Sequence, residues 1–346
     1  MRSRQWLTLA ALLPFLSLSL PFPSLAAVFK ESRALLGTVV EITVISEDEP
    51  RARAGMDQAW GEIRRLEELM SFYRPESEIS RINREAHRQK VQVGREVFHL
   101  LKHAQFLSRL TGGAFDITFA PLWQLWGRCA KEERLPSPAE LAQAKGLVDY
   151  RRVHLDEGSQ QIKLGYSGMK VNLGGIAKGY ALSRAEEKLK QAGLDNFLIN
   201  IGGDTLTAGS GKEGKGWRIV IQHPRKPGQY IWVLRLKDSY SLSSGDYERF
   251  FEIKGKRYHH IIDARSGYPA SRCSAVTILT PRITRDYLPS VVLFLLGPEK
   301  GPDLMKQFPD LAYLIITPEG KVFSSPNFSS FLEGPLPSQL DMIPSD

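Results

Sequence analysis

The sequence predicts a fold of the α+β class, in which two early helices precede a strand-rich region. Two stretches, residues 51–70 and 95–110, repeat apolar residues at helical spacing. From residue 153 onward most apolar runs are short and bounded by turn-forming residues, which is typical of strands. The chain has 346 residues, enough for one large domain or two ordinary ones.

The first elements follow from β-branched content and apolar spacing. Residues 38–45 are rich in Val, Ile and Thr and predict a first strand. The helix at 51–70 has an apolar face made of Met56, Trp60, Ile63, Leu66 and Met70. The helix at 95–110 has an apolar face made of Val97, Leu101, Ala104 and Leu107.

The second half is predicted to consist mainly of strands. A charged connector at 128–146 contains a capping box from Ser137 to Glu140, which predicts a short helix. Helices are predicted near 175–192 and 285–296. The predicted strands are 161–164, 196–201, 217–222, 230–236, 250–254, 275–280 and 311–317. Residues 324–346 are rich in Ser and Pro and predict a loosely ordered tail, so the folded body should cover 27–323.

The N-terminus has the pattern of a secretory signal peptide. Arg2 and Arg4 precede an apolar run, and small residues near Ala26 suit cleavage after residues 1–26. The protein is therefore expected to be exported to the periplasm, or to stay at the inner membrane if the signal is not cleaved. In an oxidising compartment Cys129 and Cys273 could pair, and the sequence leaves that question open.

The charge of the chain favours a small anionic ligand over nucleic acid. The net charge is +8, and removal of the two arginines of the signal leaves +6. The basic residues are not clustered in the stripe that nucleic-acid binding usually requires. After the signal, no apolar run is long enough to cross a bilayer.

Four glycine-bearing segments stand at the edges of apolar stretches: GGAFD at 112–116, NLGGIAKGYA at 172–181, NIGGD at 200–204 and SSGDYERFF at 243–251. Glycine permits positive φ and a close approach of the backbone to a phosphate or a flat ring. Any one segment alone is more often a tight turn. In the second segment Gly174 and Gly175 open a predicted helix with Lys178 one turn inside, which suits a pyrophosphate.

The segment at 284–297 offers oxygen ligands for a metal. Asp286 and Ser290 are four residues apart, and Pro289 is tolerated only in a first turn, so the helix is predicted to begin near Arg285. A carboxylate, a hydroxyl, phosphate oxygens and waters suit Mg²⁺. The alternative is an aspartate that only stabilises the helix dipole.

The segment HHIIDARSGYP at 259–269 places two of the seven histidines side by side. A metal site, a proton-transfer site and a satisfied strand end are the alternatives. Adjacent residues on a strand face opposite sides, so only one of His259 and His260 should point inward. His99 and His103 also share a helix face, but no third ligand accompanies them, and a structural role is favoured.

From Leu36 to Gly297 these segments, in order, resemble the FAD:protein FMN transferases, the ApbE-like family. The resemblance also includes SFYRPESEISRIN at 71–83 and GGAFDITFAPLW at 112–123. It implies a single α+β module of mixed, largely antiparallel sheets with flanking helices. It implies FAD as donor, Mg²⁺ as cofactor, transfer of FMN to a threonine hydroxyl of a partner protein, and release of AMP. The acceptor would be an exported redox protein, with peripheral contact to membrane redox complexes as a further possibility.

The resemblance also assigns roles to residues of this chain. His260 would accept the threonine proton. The metal would be held by the Gly175 carbonyl, Asp286 and Ser290. The expected FAD contacts are Leu36, Tyr73, Ala114, Phe115, Asp116, Asn172, Lys178, His260 and Ile261.

Some positions depart from the family pattern. Asn172 stands where the family usually has Asp, which removes a charge from the expected nucleotide site, and Leu36 stands for Met. Ser290 stands for Thr and keeps the hydroxyl. The alternatives to transfer are hydrolysis of FAD to FMN and AMP, and flavin binding without turnover.

Overall fold

A computed structural model describes residues 26–281 and 287–342. The helices are α1 Glu49–Met70, α2 Glu78–Glu85, α3 Arg95–Leu110, α4 Ala120–Lys131, α5 Pro138–Lys145, α6 Ala177–Gln191 and α7 Ser290–Met305. The strands of the first half are β1 Ala27–Leu35, β2 Thr38–Ser46, β3 Val91–Gln92, β4 Val153–Asp156, β5 Gln161–Leu164, β6 Phe197–Ile201 and β7 Asp204–Ala208. The remaining strands are β8 Trp217–Gln222, β9 Tyr230–Leu236, β10 Ser239–Gly245, β11 Phe250–Ile253, β12 Lys256–His259, β13 Ile262–Asp263, β14 Tyr268–Pro269, β15 Ala275–Thr280, β16 Ala312–Ile316 and β17 Val322–Ser324.

An eight-stranded sheet organises the molecule, in the order β1-β2-β6-β7-β10-β15-β16-β17. Every neighbouring pair in it is antiparallel. Helices α1 and α6 pack on each other and on the first half of the sheet, and α7 packs on β10, β15 and β16. The predicted α+β class with largely antiparallel sheets and flanking helices is therefore confirmed.

The alternation of apolar residues in β2 explains which face of the sheet is covered. Val40, Ile42 and Val44 are fully buried beneath α1, whereas Val39 is exposed. Strand β15 is different, because all six of its residues are buried. Helix α7 covers one face of β15, and the β8–β9 hairpin contributes Trp232 and Leu234 to a second apolar cluster on the other. A strand buried on both faces has a continuous rather than alternating apolar pattern.

The structure differs from the sequence expectation at the C-terminal tail. Phe328 is fully buried in the second apolar cluster, and Leu336 and Leu340 pack against it. The Val322 amide donates to Ser338 O at 2.9 Å. Segment 324–342 is thus packed onto the β8–β9 hairpin and β16 rather than loosely ordered, because its apolar residues fill the outer face of the sheet. Residues 343–346 lie outside the described residues.

The start of α7 also differs from the prediction. The helix begins at Ser290, not near Arg285, and Pro289 is its N-cap with φ −74° and ψ 147°. A residue before a proline is disfavoured in the helical region, so a helix cannot run through Leu288 into Pro289 at low cost. The spacing of four therefore does not place Asp286 and Ser290 on one helical face. Asp286 itself lies outside the described residues.

Three further expectations concern export and the thiols. The expected signal peptide lies outside the described residues, apart from Ala26. Cys129 and Cys273 are both buried free thiols, so the structure contains no bridge between them. Within 26–281 and 287–342 no helix has the length and apolar character needed to span a membrane.

Candidate functional site

A cavity of about 480 Å³ lies where several chain segments meet. Its walls come from the β1–β2 turn, the end of α1, the segment before α4, the start of α6, β10 and the start of α7. The residue after β12 completes it. The residues expected from the sequence that line this cavity are Leu36, Tyr73, Phe115, Asp116, Asn172, Gly175, Lys178, His260, Ile261 and Ser290.

Two expected site residues are not placed in the cavity wall. Ala114 is fully buried behind it, and its carbonyl accepts from the Ala264 amide at 3.1 Å. Asp286 lies outside the described residues, so its part in a metal site stays a prediction.

The start of α6 forms a concave, glycine-lined wall. Its N-cap, Ile176, provides no side-chain hydrogen bond, so the positive end of the helix is not capped by a side chain. The Asn172 Oδ1 atom accepts from the Gly174 amide at 2.8 Å and fixes the turn before the helix. A Cβ atom at Gly175 would stand 2.9 Å from Phe115 Cε2, so only glycine fits beside that ring. An uncapped helix start of this kind favours an anion such as a phosphate group, and the binding of a pyrophosphate here stays a prediction.

Lys178 stands between this wall and two acidic residues that the sequence reasoning did not single out. Its Nζ donates to Gly202 O at 3.1 Å. Asp204 and Glu248 also line the cavity, and burial raises the pKa of both carboxyls, that of Asp204 to about 6. Lys178 opposes both shifts. Asp204 lies in the segment NIGGD at 200–204, and Glu248 lies in SSGDYERFF at 243–251. Both segments were singled out in the sequence for their glycines. An acidic residue close to glycine was therefore the sequence signal that could have identified these two carboxyls.

The beginning of α7 meets the beginning of α6 at the same cavity. The Tyr287 hydroxyl donates to Ile176 O, and the Tyr287 ring packs so closely on Gly179 that a Cβ there would stand 2.7 Å from its oxygen. Ser290 is buried and its Oγ lies 2.8 Å from Ser244 Oγ. The segment that leads into α7 therefore contacts the start of α6 directly.

The described residues around Ser290 are compatible with Mg²⁺. They offer hydroxyl and carbonyl oxygens, and this ion prefers oxygen ligands. The nearby carboxyls of Asp204 and Glu248 are desolvated, a situation that a cation relieves. In the described part of the chain no three His, Cys, Asp or Glu side chains are grouped to hold a metal by themselves. A metal here would therefore depend on few protein ligands.

The two adjacent histidines have different surroundings. His259 is buried with its Nε2 2.6 Å from Ala270 O, and its Nδ1 accepts from the Ile261 amide at 3.2 Å. His260 lines the cavity, and its Nδ1 lies 3.3 Å from Arg249 O. Of the two, only His260 lines the cavity, whereas His259 is buried elsewhere in the interior and packs on Phe294. His99 and His103 lie on α3 and do not line the cavity, although the His103 ring packs on the ring of the cavity-lining Tyr287, with 5.6 Å between their centres.

The hydrogen bonding of His260 sets its proton chemistry. A carbonyl can only accept, so Nδ1 carries the proton and Nε2 keeps a lone pair. Burial, helped by His259 and Arg249, lowers the pKa of His260 to about 4. The ring is therefore neutral near pH 7, which is the form that accepts a proton.

The mouth of the cavity has an aromatic and strained wall. Tyr73 is 73% exposed, and its hydroxyl accepts from Trp123 Nε1 at 3.1 Å. Leu36 has a left-handed backbone with φ 55°, which is uncommon for a residue other than glycine. Its amide donates to Glu67 Oε1 at 2.7 Å, and Arg249 donates to Gly37 O at 2.6 Å. The β1–β2 turn is therefore held in place from both sides.

Asp116 plays a structural part in this wall. One carboxylate oxygen accepts from the amide and the hydroxyl of Thr118, and the other accepts from the Tyr150 amide at 2.9 Å. Burial raises its pKa. These three contacts fix the loop that presents Phe115 to the cavity.

Comparison with known proteins identifies the family of this chain. Residues 36–315 match the ApbE family. The chain is 33% identical over 319 residues to an FAD:protein FMN transferase of Klebsiella pneumoniae, covering 91% of this chain and 97% of that protein. It is 32% identical over 314 residues to an FAD:protein FMN transferase of Treponema pallidum, covering 86% of both.

Solved structures give the same answer for the fold. The ApbE protein of Thermotoga maritima matches with a TM-score of 0.80 and 32% identity, and the match covers 89% of this chain and 100% of that chain. The flavin transferase ApbE from Vibrio cholerae matches with a TM-score of 0.77 and 26% identity, over 89% of this chain and 100% of that one. The chain therefore belongs to the ApbE family of flavin transferases.

Proposed function

We propose that this protein is an FAD:protein FMN transferase that moves FMN from FAD to a threonine hydroxyl of an exported redox protein, with Mg²⁺ as cofactor and AMP as the second product. One observation carries the proposal. The cavity joins a neutral histidine with an available Nε2 to a glycine-lined helix start that suits a phosphate. Proton acceptance and phosphate binding are the two requirements of phosphoryl-type transfer to a hydroxyl.

Different walls of the cavity bind different parts of FAD. The flavin ring lies between the Tyr73 side and Phe115, where aromatic surface and the Leu36 turn offer flat contacts. The pyrophosphate lies at the start of α6, where the helix dipole and Lys178 offset its charge. The adenylate end lies near Asn172.

The reaction is a displacement at the FMN phosphorus of FAD. The threonine oxygen forms a new P–O bond to that phosphorus, and the bond to the oxygen that bridges the two phosphates breaks. The bridging oxygen leaves with AMP, and the threonine proton passes to His260 Nε2. The anionic substrate raises the pKa of the His260 ring from its low value in the free protein toward neutrality, since an opposite charge favours the protonated form.

Mg²⁺ is proposed to bind through the Gly175 carbonyl, Asp286 and Ser290. When bound, it neutralises charge on phosphate oxygens. Ser244 positions the Ser290 hydroxyl through their 2.8 Å contact.

The Asn172 departure from the family pattern does not by itself favour a protein without turnover. Its amide oxygen accepts from the Gly174 amide, a role that a carboxylate oxygen fills equally well. The turn before α6 is therefore preserved. Hydrolysis of FAD by water remains the competing reaction, because water is smaller than threonine and needs the same base.

Export to the periplasm is part of the proposal, supported by the signal-like pattern of residues 1–26. The acceptor would then be an exported redox protein, including proteins attached to membrane redox complexes. Fractionation of cells that produce the full chain tests this, and recovery in the cytoplasm with an intact N-terminus would contradict it.

The decisive experiment identifies the products of purified protein with FAD, Mg²⁺ and a threonine-bearing acceptor. Transfer gives flavinylated acceptor and AMP in equal amounts, and a threonine-to-valine acceptor gives neither in excess of background. FMN and AMP without flavinylated acceptor would indicate a hydrolase, and unchanged FAD would indicate a binding protein. Omission of the metal by chelation tests its requirement in the same assay.

A further inference from the structure

The hairpin formed by β11 and β12 stands beside the cavity and has one unpaired edge. Its two strands form a sheet of their own, to which no third strand is added in the described parts of the chain. The side chains of Phe251 and Ile253 pack on the cluster around Trp126, so the hairpin is anchored by one face. The opposite face carries Phe250 and Glu252, which are both exposed.

The register shows which main-chain groups of β11 point outward. The His260 amide donates to Arg249 O at 3.0 Å, which extends the ladder one step past the Phe250–His259 pair. Hydrogen-bonded and non-bonded pairs alternate along an antiparallel ladder. The main-chain groups of Phe250 and Glu252 therefore face away from β12. Within 26–281 and 287–342, no main-chain hydrogen bond outside the strand ladders is formed by either residue.

This edge leads directly into the site. Arg249 and Glu248, the two residues before β11, line the cavity, and Arg249 is the ladder partner of His260. An extended segment laid along β11 would therefore continue past Arg249 into the cavity mouth. Neighbouring strands are only about 5 Å apart, so such a segment would run close to the rim of the cavity.

Side chains along the edge do not close it. The Arg257 guanidinium lies over the Phe250 ring at 3.9 Å from its centre, and the same arginine lies 3.4 Å from Glu252. These contacts hold the outward side chains against the hairpin face rather than across the β11 edge. The edge thus stays open to main-chain pairing.

We propose that the outward edge of β11, formed by the main chain of Phe250 and Glu252, is the docking site of the acceptor protein, which adds an extended threonine-bearing segment as a third strand. The inference rests on the proposed function, because it requires a protein substrate. Strand addition supplies affinity through main-chain hydrogen bonds and delivers one side chain at a fixed step along the ladder. The threonine is the residue that passes Arg249 and enters the cavity beside His260.

Strand addition makes a prediction that side-chain docking does not. Only every second residue of the acceptor segment donates its amide to β11. In a synthetic peptide that copies the segment around the modified threonine, N-methylation should lower kcat/KM by about two- to tenfold at alternate positions and leave the positions between them unchanged. The wild-type enzyme is used throughout, so its folding is not in question.

The enzyme side provides a matched pair of variants. Glu252→Pro removes the outward amide without removing a ladder donor to β12, whereas Glu252→Ala removes only the side chain. The proline variant should raise KM for the acceptor several-fold, while FAD affinity, measured by flavin fluorescence, stays within twofold of the wild type for both variants. If the proline variant fails to bind FAD, its fold is lost and the peptide scan decides.

The outcomes separate the two proposals. If the wild-type enzyme flavinylates no acceptor, the proposed function fails. If it flavinylates the acceptor but N-methylation acts equally at adjacent positions or nowhere, strand addition at β11 is overturned. Equal acceptor KM in the proline and alanine variants, with FAD binding intact, would overturn it as well.

Discussion

Removal of the Arg225 guanidinium should destabilise the protein and disturb the site together. Arg225 follows β8 and forms two bonds of 2.7 Å to Asp246, one to each carboxylate oxygen, and another of 2.8 Å to Ser274 Oγ. Asp246 is 5% exposed. In Arg225→Met this buried carboxylate would keep, among the residues that the structure describes, Arg257 as its cationic neighbour, at 3.7 Å.

The expected magnitude follows from that geometry. Breaking a buried ion pair by removal of one partner costs about 3–5 kcal/mol. Because Arg257 still neutralises part of the Asp246 charge, we expect the free energy of unfolding to fall by about 3 kcal/mol, near the lower end of that range. An unfolding entropy of roughly 2.1 cal/mol/K per residue, taken over about 320 residues, converts this into a Tm lowered by roughly 4–5 °C. Asp246 also lies just before Glu248 and Arg249 in the chain, so FMN transfer should fall more than the loss of folded protein explains.

Thermal unfolding followed by circular dichroism measures the first effect, and FMN transfer at a temperature well below the transition measures the second. Lys306→Ala is the matched control, because its ion pair with Asp303 is highly exposed and its loss should leave the Tm unchanged. The double variant Arg225→Met with Asp246→Leu should recover part of the lost stability. A Tm within about 1 °C of the wild type for Arg225→Met would refute the reasoning.

The other predictions concern the cavity itself. His260→Ala should lower FMN transfer by about a hundred- to ten-thousandfold and leave FAD affinity unchanged, because a general base acts on rate rather than on ground-state binding, and turnover near the wild-type value would contradict its role. Since the pKa of His260 in the free protein is about 4 rather than the ordinary 6.5, kcat/KM for FAD, which reports the free enzyme, should show no inflection from this ring between pH 8 and 5. In the unfolded chain His260 takes up a proton below about pH 6.5, whereas in the folded chain it does so only near pH 4. His260 should therefore lower the free energy of unfolding as the pH falls from 6.5 to 4, and thermal melts over this pH range measure the effect. Asn172→Asp should not reduce activity, because its oxygen still caps the turn, and a loss of both FAD affinity and turnover would show that the pocket is adapted to the amide. Gly179→Ala should lower turnover and reduce the free energy of unfolding by about 1–3 kcal/mol, because the new Cβ would stand 2.7 Å from Tyr287 Oη. Gly127→Ala is the control, because a Cβ at Gly127 would enter open space, and its Tm should stay close to that of the wild type.

Local sequence patterns predicted the elements whose form depends on their own residues. The helices predicted at 51–70 and 95–110 are α1 and α3 to within two residues, because their apolar spacing needs no distant partner to be recognised. The capping box at Ser137 and Glu140 is present with both hydrogen bonds. Strands 217–222 and 230–236 have the predicted bounds.

The elements that were missed depend on partners far along the chain. Strand β1 has no fully buried residue, and it is a strand because it pairs residue by residue with β2. Phe328 lies in a segment rich in Ser and Pro, and it is ordered because the β8–β9 hairpin and β16 offer it an apolar surface. Composition alone cannot indicate such a surface.

The sequence by itself determined which segments form the site, because glycine, histidine and acidic residues recur there in an order that resembles one family. The tertiary structure alone decided how they meet. Lys178 lies beside Asp204 because β6 and β7 bring Gly202 next to the start of α6, and His260 faces the cavity because the ladder of β11 and β12 continues to Arg249. Long-range antiparallel pairing sets these contacts, and a pattern confined to a few neighbouring residues carries no information about distant partners.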